Sequence, residues 1–328
     1  TYFRNLIDGL ILAAPQAPSK GIPGNSIDVN IGSMRNTGVE IGLNGTILRK
    51  NKFTWSSSFN ITFMSNEVLS LVDENSQILQ ATAGLETVSI TKVGEPIGSI
   101  RAVETRGVNP ATGQRIYVNA AGREVQYNHA AAATGRWTYL DGTVAPAISV
   151  ITDGKIYGPT IPTWFGAWDH TFRYSSFDLN IQLQYSGGNL IYNGTKAGLR
   201  DMRFWNNHTD VLNRWQREGD VTNIPRVVYG DNISNGSAFP ISENIERGDF
   251  LRVRNLALGY SLPRTLLNKA NIANLRVYVM ANNAFLFTQY TGTDPEVSTN
   301  GNENRAPGVD RNTVPMARTL TIGLNLGF

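Results

Sequence analysis

Cysteine is absent from this chain of 328 residues, and its absence excludes disulfides, thiolate metal sites and cysteine catalysis. Charge is scarce as well, because charged residues make up 17% of the sequence whereas soluble domains carry about 25%. Hydrophobic residues reach 41%, yet no apolar run approaches the roughly 20 residues that a membrane-spanning helix needs. Two classes of protein fit these shortages: a soluble β-protein and a β-barrel that crosses a membrane.

Side chains that carry catalysis or bind nucleic acid are also few. The basic residues are scattered and the net charge is only +3, so no nucleic-acid-binding block exists. P-loop, dinucleotide and nucleophile-elbow motifs are missing. The chain contains three histidines without metal-ligand spacing, His129, His170 and His208. The carboxylate pairs Asp73-Glu74 and Asp294/Glu296 could serve a glycosidase, but solvated loop charge is the simpler interpretation. We expect no catalytic residue, metal site, cofactor or enzymatic activity.

Apolar and polar side chains alternate along segments of about ten residues. In the clearest segment, 177–186, every odd-numbered residue is apolar or aromatic and every even-numbered residue is polar. This period of two indicates a β-strand with one apolar face, and the length suits a tilted strand that crosses a bilayer. The same pattern predicts strands at 2–6, 39–44, 53–63, 164–174, 251–262, 275–282 and 319–328. The apolar phase slips between Val253 and Leu256, which predicts a bulge.

Short and long connections alternate between these strands. The short ones lie at 49–52, 175–176 and 263–274, and the long ones at about 13–34, 65–162, 188–248 and 287–316. Outer-membrane barrels have short periplasmic turns and long extracellular loops, so the alternation predicts eight membrane strands and a periplasmic C-terminus. Within the long loops we expect short strands at 97–104 and 114–118 and a short helix at 210–217. The chain starts at Thr1 inside a strand and without a signal-peptide pattern, which we interpret as part of a longer exported protein.

Aromatic residues concentrate at the predicted strand ends, where membrane barrels place interfacial rings. The expected girdle consists of Phe53, Trp55, Trp164, Trp168, Tyr174, Tyr260 and Phe285. Phe328 ends an alternating strand at the C-terminus, which resembles the signal that outer-membrane assembly machinery recognises. A soluble β-sandwich that binds or degrades glycans and a small closed eight-stranded barrel of structural or adhesin type stay open as alternatives.

Several segments resemble, in order, the SusC/RagA family of TonB-dependent transporters. These family-like segments are NIGSMRNTGVE (30–40), VGEPIGS (93–99), GPTIPTWFG (158–166) leading into TFRYSSFDL (171–179), GDFLRVRNLALGYSLP (248–263), TGTDPE (291–296) and PMARTLTIGLNLGF (315–328). Each segment is weak evidence by itself, but together they cover almost the whole chain.

The resemblance implies an antiparallel transmembrane β-barrel of about 22 strands, of which this chain would supply the C-terminal eight. It implies an N-terminal plug and a TonB-contacting segment, and nothing here is similar to that plug. A SusD-like lipoprotein would cap the barrel and help capture a glycan or peptide for import across the bacterial outer membrane. Relatives carry an acidic loop before the segment at 158–166, whereas only Asp141-Gly142 and Asp153-Gly154 stand there, so we do not expect calcium.

Ligand contacts are expected from lumen-facing residues of the barrel and from the long extracellular loops, where aromatic side chains are the candidates. A sugar presents an apolar C–H face to an aromatic ring and hydroxyls to amide or carboxylate groups. The candidates are Trp137, Tyr192, Trp205 and Trp215. Packing within the loops or against a partner protein is the alternative for each.

Overall fold

The computed structural model describes residues 1–72, 76–82, 87–203, 206–268, 272–301 and 306–328. The Asp73-Glu74 pair and Trp205 lie outside these residues. The regular secondary structure of the described part is mainly β-strand, as the alternation predicts. No helix in it is long and apolar enough to span a membrane.

The strands in chain order are β1 (Tyr2–Pro15), β2 (Ser26–Lys50), β3 (Phe53–Ser70), β4 (Gln77–Gln80), β5 (Ser89–Lys92), β6 (Ser99–Val103), β7 (Thr105–Val108), β8 (Arg115–Val118), β9 (Glu124–Tyr127), β10 (Trp137–Tyr139), β11 (Gly154–Gly158), β12 (Trp164–Tyr174), β13 (Phe177–Gly187), β14 (Leu190–Asn193), β15 (Ile245–Arg247), β16 (Phe250–Ser261), β17 (Asn274–Thr288), β18 (Val309–Asp310) and β19 (Thr319–Gly327). The short α-helices are α1 (Val150–Asp153), α2 (Gly194–Leu199) and α3 (Arg264–Leu267). The 3-10 turns are Pro18–Lys20, Pro23–Asn25, Ala133–Gly135, Thr209–Asn213 and Ser242–Asn244.

Eight long strands form one antiparallel sheet, the main sheet, in the order β1-β2-β3-β12-β13-β16-β17-β19. They correspond to the eight strands predicted from the alternation. Tight turns join β2 to β3 and β12 to β13, and Asn51 and Ser175 adopt positive φ there (51° and 55°). Among the described residues β1 pairs only with β2 and β19 only with β17, so these eight strands do not close on each other.

Two strand pairs extend beyond the alternating segments. β1 and β2 pair as far as Pro15 and Ser26, so their connection is 16–25 rather than 13–34. β3 continues to Ser70, which shortens the next connection in the same way. The extended ends are held by polar bonds across the strands and by an apolar cluster in which Val68 packs with Leu10 and Met34. Asn66 donates to Asn36 (2.6 Å) and Arg35 pairs with Glu67 (2.5 Å).

The register between strands places like residues side by side. One row across the main sheet consists of Leu43, Phe59, Trp168, Leu183, Val253 and Phe285. The adjacent row, on the other face, consists of Asn44, Ser58, Asp169, Gln182, Asn255, Asn282 and Thr319. The main sheet therefore has an apolar face and a polar face. The apolar face is open, since Leu43 is 65% and Ile322 is 78% exposed.

The predicted bulge is confirmed and falls at Arg254. Gln182 lies opposite Asn255 and Leu183 opposite Val253, so Arg254 is the extra residue in β16. The neighbouring strand β17 is also irregular at this level, and Asn283 there has a φ of 51°. Asparagine tolerates this left-handed conformation better than most side chains. The two irregularities restore Val253 and Leu256 to the apolar face.

The segments 71–163, 188–249 and 289–318, within the described residues, form a loop region with its own small sheets. Their strand orders are β10-β9-β8-β7, β11-β6-β5-β4 and β15-β14-β18. The predicted strands at 97–104 and 114–118 are confirmed as β6 and β8. The helix predicted at 210–217 is wrong in length, because only the 3-10 turn Thr209–Asn213 forms. Arg214 is extended (ψ 159°), and the Thr222 hydroxyl donates to the Asn213 carbonyl (2.7 Å).

Gly166 in β12 allows the backbone to lie against β3. A Cβ atom added there would sit 2.1 Å from the Asn60 carbonyl oxygen, whereas one added at Gly42 in β2 would meet nothing within 4 Å. We expect Gly166→Ala to destabilise the fold by about 1–3 kcal/mol through overpacking, and Gly42→Ala to be nearly neutral. Urea unfolding in detergent, followed by tryptophan fluorescence, measures both. Equal losses in the two variants would contradict this explanation.

Candidate binding region where the loops meet the main sheet

The family-like segments, which lie far apart in sequence, meet at the loop end of the main sheet. Asn66 at the end of β3 donates to Asn36 in the first segment and accepts from the Ile97 backbone in the second (2.8 Å). The Thr160 hydroxyl of the third segment donates to the Gly98 carbonyl (2.9 Å). Their side chains therefore join the loop region to the sheet.

Two further family-like segments are joined by an arginine–carboxylate cluster, defined here as Arg252, Arg254, Asp294 and Glu296. Arg252 in β16 bonds to Asp294 (2.6 Å) and pairs with Glu296 (2.7 Å). Arg254, the bulge residue, lies 3.6 Å from Glu296. Asp294 also accepts from the Met316 backbone (3.2 Å). The cluster thereby ties both ends of the segment between β17 and β19 to the polar face.

The interpretation of Asp294 and Glu296 as solvated loop charge is wrong. The side chains of Arg252 and Asp294 are only 3% and 2% exposed, and that of Glu296 is 14% exposed. A buried carboxylate needs a charged or hydrogen-bonding partner, and the two arginines supply it. Since both carboxylates are held by guanidinium groups, the pair does not present the free acid and base that a glycosidase uses.

A cavity of about 560 Å³ opens beside the cluster, between the polar face and the loop region. Hydrogen-bonding side chains and aromatic rings line it together, among them Asn60, Phe165, Gln184, Asn189, Phe250 and Glu296. Gln184 donates to Glu296 (3.1 Å), which connects the wall of the cavity to the cluster. Rings beside amides form a surface that suits a neutral, hydroxyl- or amide-bearing ligand.

Of the ligand residues predicted from sequence, the three within the described residues, Trp137, Tyr192 and Trp215, do not line this cavity. Tyr192 is wrong as a platform, because β14 carries it into the core at 0% exposure. Trp137 packs against Tyr117 and Tyr127, with ring centroids 5.3 and 4.7 Å away. Trp215 donates to the Pro110 carbonyl (2.8 Å) and covers the turn at 109–113. Trp137 and Trp215 thus contribute packing within the loop region.

Gln184 and Phe250 are not among the residues named from sequence, because the expectation of lumen-facing contacts singles out no position and the named candidates all lie in the loops. Both lie on main-sheet strands, near the loop end, and their side chains share the polar face. Two sequence patterns point to them. Gln184 occupies a polar position of the alternating segment at 177–186, and Phe250 lies near the start of the family-like segment at 248–263.

The aromatic residues of the expected girdle sit at different heights. Phe53, Trp55, Tyr174 and Tyr260 lie near the short turns, and Trp164 starts β12 at the loop end. Phe285 lies three residues before the end of β17 and is 54% exposed. Trp168 lies in the middle of β12, away from either strand end, and the apolar face continues on both sides of it. Phe328 follows β19 and is 91% exposed.

Buried charge also holds the loop region together. Burial alone would raise the pKa of Asp201, but hydrogen bonds from Arg203 (2.6 Å) and Ser237 (2.5 Å) outweigh it and lower the pKa below its usual value. Burial lowers the pKa of the Arg115 guanidinium, which donates to the Asn223 and Ser234 carbonyls. These contacts fix the segment 220–237 against the small sheets.

Replacing Arg252 tests the cluster. Arg252→Met leaves buried Asp294 without a cation and Glu296 with only Arg254 at 3.6 Å, so we expect a loss of about 3–5 kcal/mol and faster proteolysis within 289–318. Arg247→Met is the matched control, because Arg247 is 72% exposed in its pair with Asp249 and such pairs contribute about 1 kcal/mol or less. Urea unfolding and limited proteolysis measure both effects. Similar behaviour of the two variants would show that the cluster is not a structural anchor.

Acid should loosen the contacts around Asp201. The pKa of Asp201 is lowered in the folded state. Its ionised form therefore adds its full share to the free energy of unfolding above the ordinary aspartate pKa of about 3.9, and this share is lost as the pH falls through the lowered value. We expect the difference in unfolding temperature between the wild type and Asp201→Asn to shrink between about pH 5 and pH 2. A difference that stays constant over that range would assign the loss to packing instead of ionisation.

Comparisons with known proteins cover the whole chain, although no family model matches it. It is 28% identical over 334 residues to TonB-dependent receptor P3 of Formosa agariphila, covering 100% of this chain and 32% of that protein. It is 27% identical over 312 residues to TonB-dependent receptor SusC of Bacteroides thetaiotaomicron, covering 91% and 27%. The chain thus spans about a third of the length of the curated relatives it matches.

Solved structures agree in fold. The structure of the RagAB peptide transporter matches 100% of this chain and 33% of its own chain, with a TM-score of 0.75 and 23% identity. The RagAB peptide importer in the "closed-closed" state matches with a TM-score of 0.74. The chain is therefore similar over almost its whole length to part of TonB-dependent receptors that include SusC, and it shares the fold of the matching part of the RagAB structures.

Proposed function

We propose that this chain forms the C-terminal wall of an outer-membrane β-barrel in a TonB-dependent nutrient transporter. The observation that carries the proposal is the pair of opposite faces on the main sheet. Apolar side chains lie in register on one face and remain exposed, and polar ones lie in register on the other. An apolar outer surface around a polar lumen is the arrangement of transmembrane barrels.

The dimensions of the main sheet support the proposal. β12 has 11 residues, which at about 3.3 Å per residue gives a length of about 35 Å. A tilt of about 40° reduces this to roughly the 25 Å height of an outer-membrane apolar band. Long connections at one end and short turns at the other favour loops outside the cell and a C-terminus in the periplasm.

The cavity and the loop region support a role in ligand capture and partner binding. The cluster beside the cavity pairs its own charges, so the lining favours a neutral oligosaccharide or the backbone of a peptide over a strongly charged ligand. The loop region exposes apolar side chains, including Leu212 (69%), Val221 (91%) and Tyr229 (85%), and a SusD-like lipoprotein that caps the barrel would bind against this region. TonB would act through a plug domain, and this chain would carry no enzymatic activity.

The two alternatives fit less well. A closed eight-stranded barrel requires β1 to pair with β19, and among the described residues each has a neighbour on one side only. A soluble sandwich requires a second sheet over the apolar face. In the described part of the chain that face is instead open at residues such as Leu43, Leu320 and Ile322.

Arginine on the two faces tests the membrane assignment. Ile181 and Gln182 are neighbours in the middle of β13, on the apolar and polar faces respectively. Ile181→Arg should destabilise the membrane form by about 2–4 kcal/mol and reduce both outer-membrane abundance and uptake. Gln182→Arg should leave abundance nearly unchanged, because water solvates it in the lumen. The measurements are immunoblots of outer-membrane fractions and uptake of fluorescent oligosaccharides or peptides with and without TonB.

Three results would count against the proposal. One is recovery of the wild-type full-length protein in the soluble fraction without detergent. Another is an equal loss of abundance in both arginine variants. Uptake that persists unchanged without TonB would oppose the transport part alone.

A further inference from the structure

A second cavity, of about 210 Å³, lies in the loop region beside β6, and we call it the Arg101 cavity. None of its lining residues lines the larger cavity beside the arginine–carboxylate cluster. It borders on solvent, since two of the residues in its wall, Leu79 and Ile151, are 43% and 65% exposed. The complete lining consists of Leu79, Thr87, Arg101, Val150, Ile151 and Pro240.

Arg101 is a buried cation whose hydrogen-bond partners are all neutral. The residue is 8% exposed. One terminal nitrogen donates to the side-chain oxygen of Gln77 (3.3 Å), and the other donates to the Ile151 carbonyl. The Nε donor has no acceptor among the described residues. Because a buried charge without an opposite charge is costly, a negative group in the cavity would be stabilised there.

Comparison with Arg252 shows what Arg101 lacks. Arg252 is buried as deeply, and it pairs with the carboxylates of Asp294 (2.6 Å) and Glu296 (2.7 Å). Burial lowers the pKa of the Arg101 guanidinium, and in the described part of the chain no carboxylate offsets that effect. A ligand in the cavity can supply the missing half of this ion pair.

The lining of the Arg101 cavity favours a carboxylate over a larger anion. A guanidinium presents a planar set of donors that matches the two oxygens of a carboxylate. Apart from Arg101, only Thr87 contributes a polar side chain to the wall, and the remaining lining residues are apolar. A phosphate has more oxygens than these two side chains can satisfy, whereas the apolar part of the wall suits the methylene groups of a short stem.

We propose that the Arg101 cavity binds a carboxylate at the end of a short apolar stem. The carboxylate pairs with Arg101, and the stem packs against apolar side chains such as Leu79 and Val150. A free short-chain acid and the acidic side chain of a peptide both offer this chemistry. The proposal goes beyond the proposed function and does not depend on the membrane assignment, because every lining residue belongs to the loop region.

Butyrate is a suitable probe, because it carries a carboxylate on a short alkyl chain. Butyramide has the same shape without the charge, and phosphate has the charge without the stem. Saturation-transfer NMR titrations of the purified full-length protein measure the affinities, with phosphate followed by its displacement of butyrate. We expect saturable binding of butyrate and at least about tenfold weaker binding of the other two. Absence of butyrate binding, or equal affinities for butyrate and butyramide, would overturn the proposal.

Replacing Arg101 tests its role in binding. Arg101→Met should weaken butyrate binding about tenfold or more, because the charge-assisted hydrogen bonds are lost. Arg106→Met is the matched control, since the Arg106 side chain is 52% exposed and already pairs with Glu104 and Glu124. Its affinity for butyrate should equal that of the wild type. Similar losses in the two variants would contradict a site at Arg101.

Thermal unfolding separates binding from folding. Without ligand, Arg101→Met should unfold at about the temperature of the wild type, because methionine removes a buried charge that lacks a counter-charge. Butyrate should raise the unfolding temperature of the wild type and leave that of Arg101→Met unchanged. A marked loss of stability in the ligand-free variant would show that Arg101 already has its negative partner and would overturn the proposal.

Glu86 provides a test of the alternative that the chain supplies its own carboxylate. It lies outside the described residues and immediately precedes Thr87 in the sequence. Glu86→Gln should leave the affinity for butyrate unchanged. Butyrate binding that appears only in Glu86→Gln would show that Glu86 occupies the place of the ligand, and the proposal would then be wrong.

A pair of amino-acid amides distinguishes the two sources of the carboxylate. N-acetylglutamate amide carries an acidic peptide side chain, and N-acetylglutamine amide is its neutral isostere. Displacement of butyrate by the glutamate compound alone would support the site and assign it to peptide side chains. Displacement by neither compound, with butyrate still bound, would support the site and assign it to free acids. Equal displacement by both compounds would overturn recognition of the charge.

Discussion

The register between neighbouring strands determines where every side chain of the main sheet points. Because side chains alternate between faces, a slip of one residue in any strand pair would exchange its polar and apolar sides. Tight turns set the register between β2 and β3 and between β12 and β13. At β16 and β17 the Arg254 bulge and Asn283 shift the backbone and bring Val253 back onto the apolar face. The positions of the cavity and of the arginine–carboxylate cluster both depend on this register.

Ionic and amide contacts attach the loop region to the main sheet. Arg252 points to the polar face, where it gathers Asp294 and Glu296 from a segment that follows more than 40 residues later. Asn66 links β2 to the loop that follows β3. The segments that resemble the SusC/RagA family thus contain residues that attach the loop region to the main sheet. Such residues constrain any ligand site indirectly, because they set the distance between the cavity lining and the loops above it.

The main sheet could be predicted from sequence because its signal is local. Alternation at 177–186 and the phase slip after Val253 each involve only a few neighbouring residues. The loop region could not, since its short strands pair over long distances and bury residues on both faces. Nothing local distinguishes Tyr192, which is wholly buried, from an aromatic residue that contacts ligand. The arginine–carboxylate cluster could not be predicted for the same reason, because the partners of Arg252 belong to another segment of the sequence.

The main sheet has two outer edges, formed by β1 and β19. In the described part of the chain, β1 (14 residues) and β19 (9 residues) each present a row of peptide groups without a neighbour. Unpaired edges template association with other chains, and in a bilayer an unpaired peptide group is not tolerated. Any strand that pairs with β1 or β19 would therefore extend the main sheet at that edge, and these two edges are where association with other chains is expected.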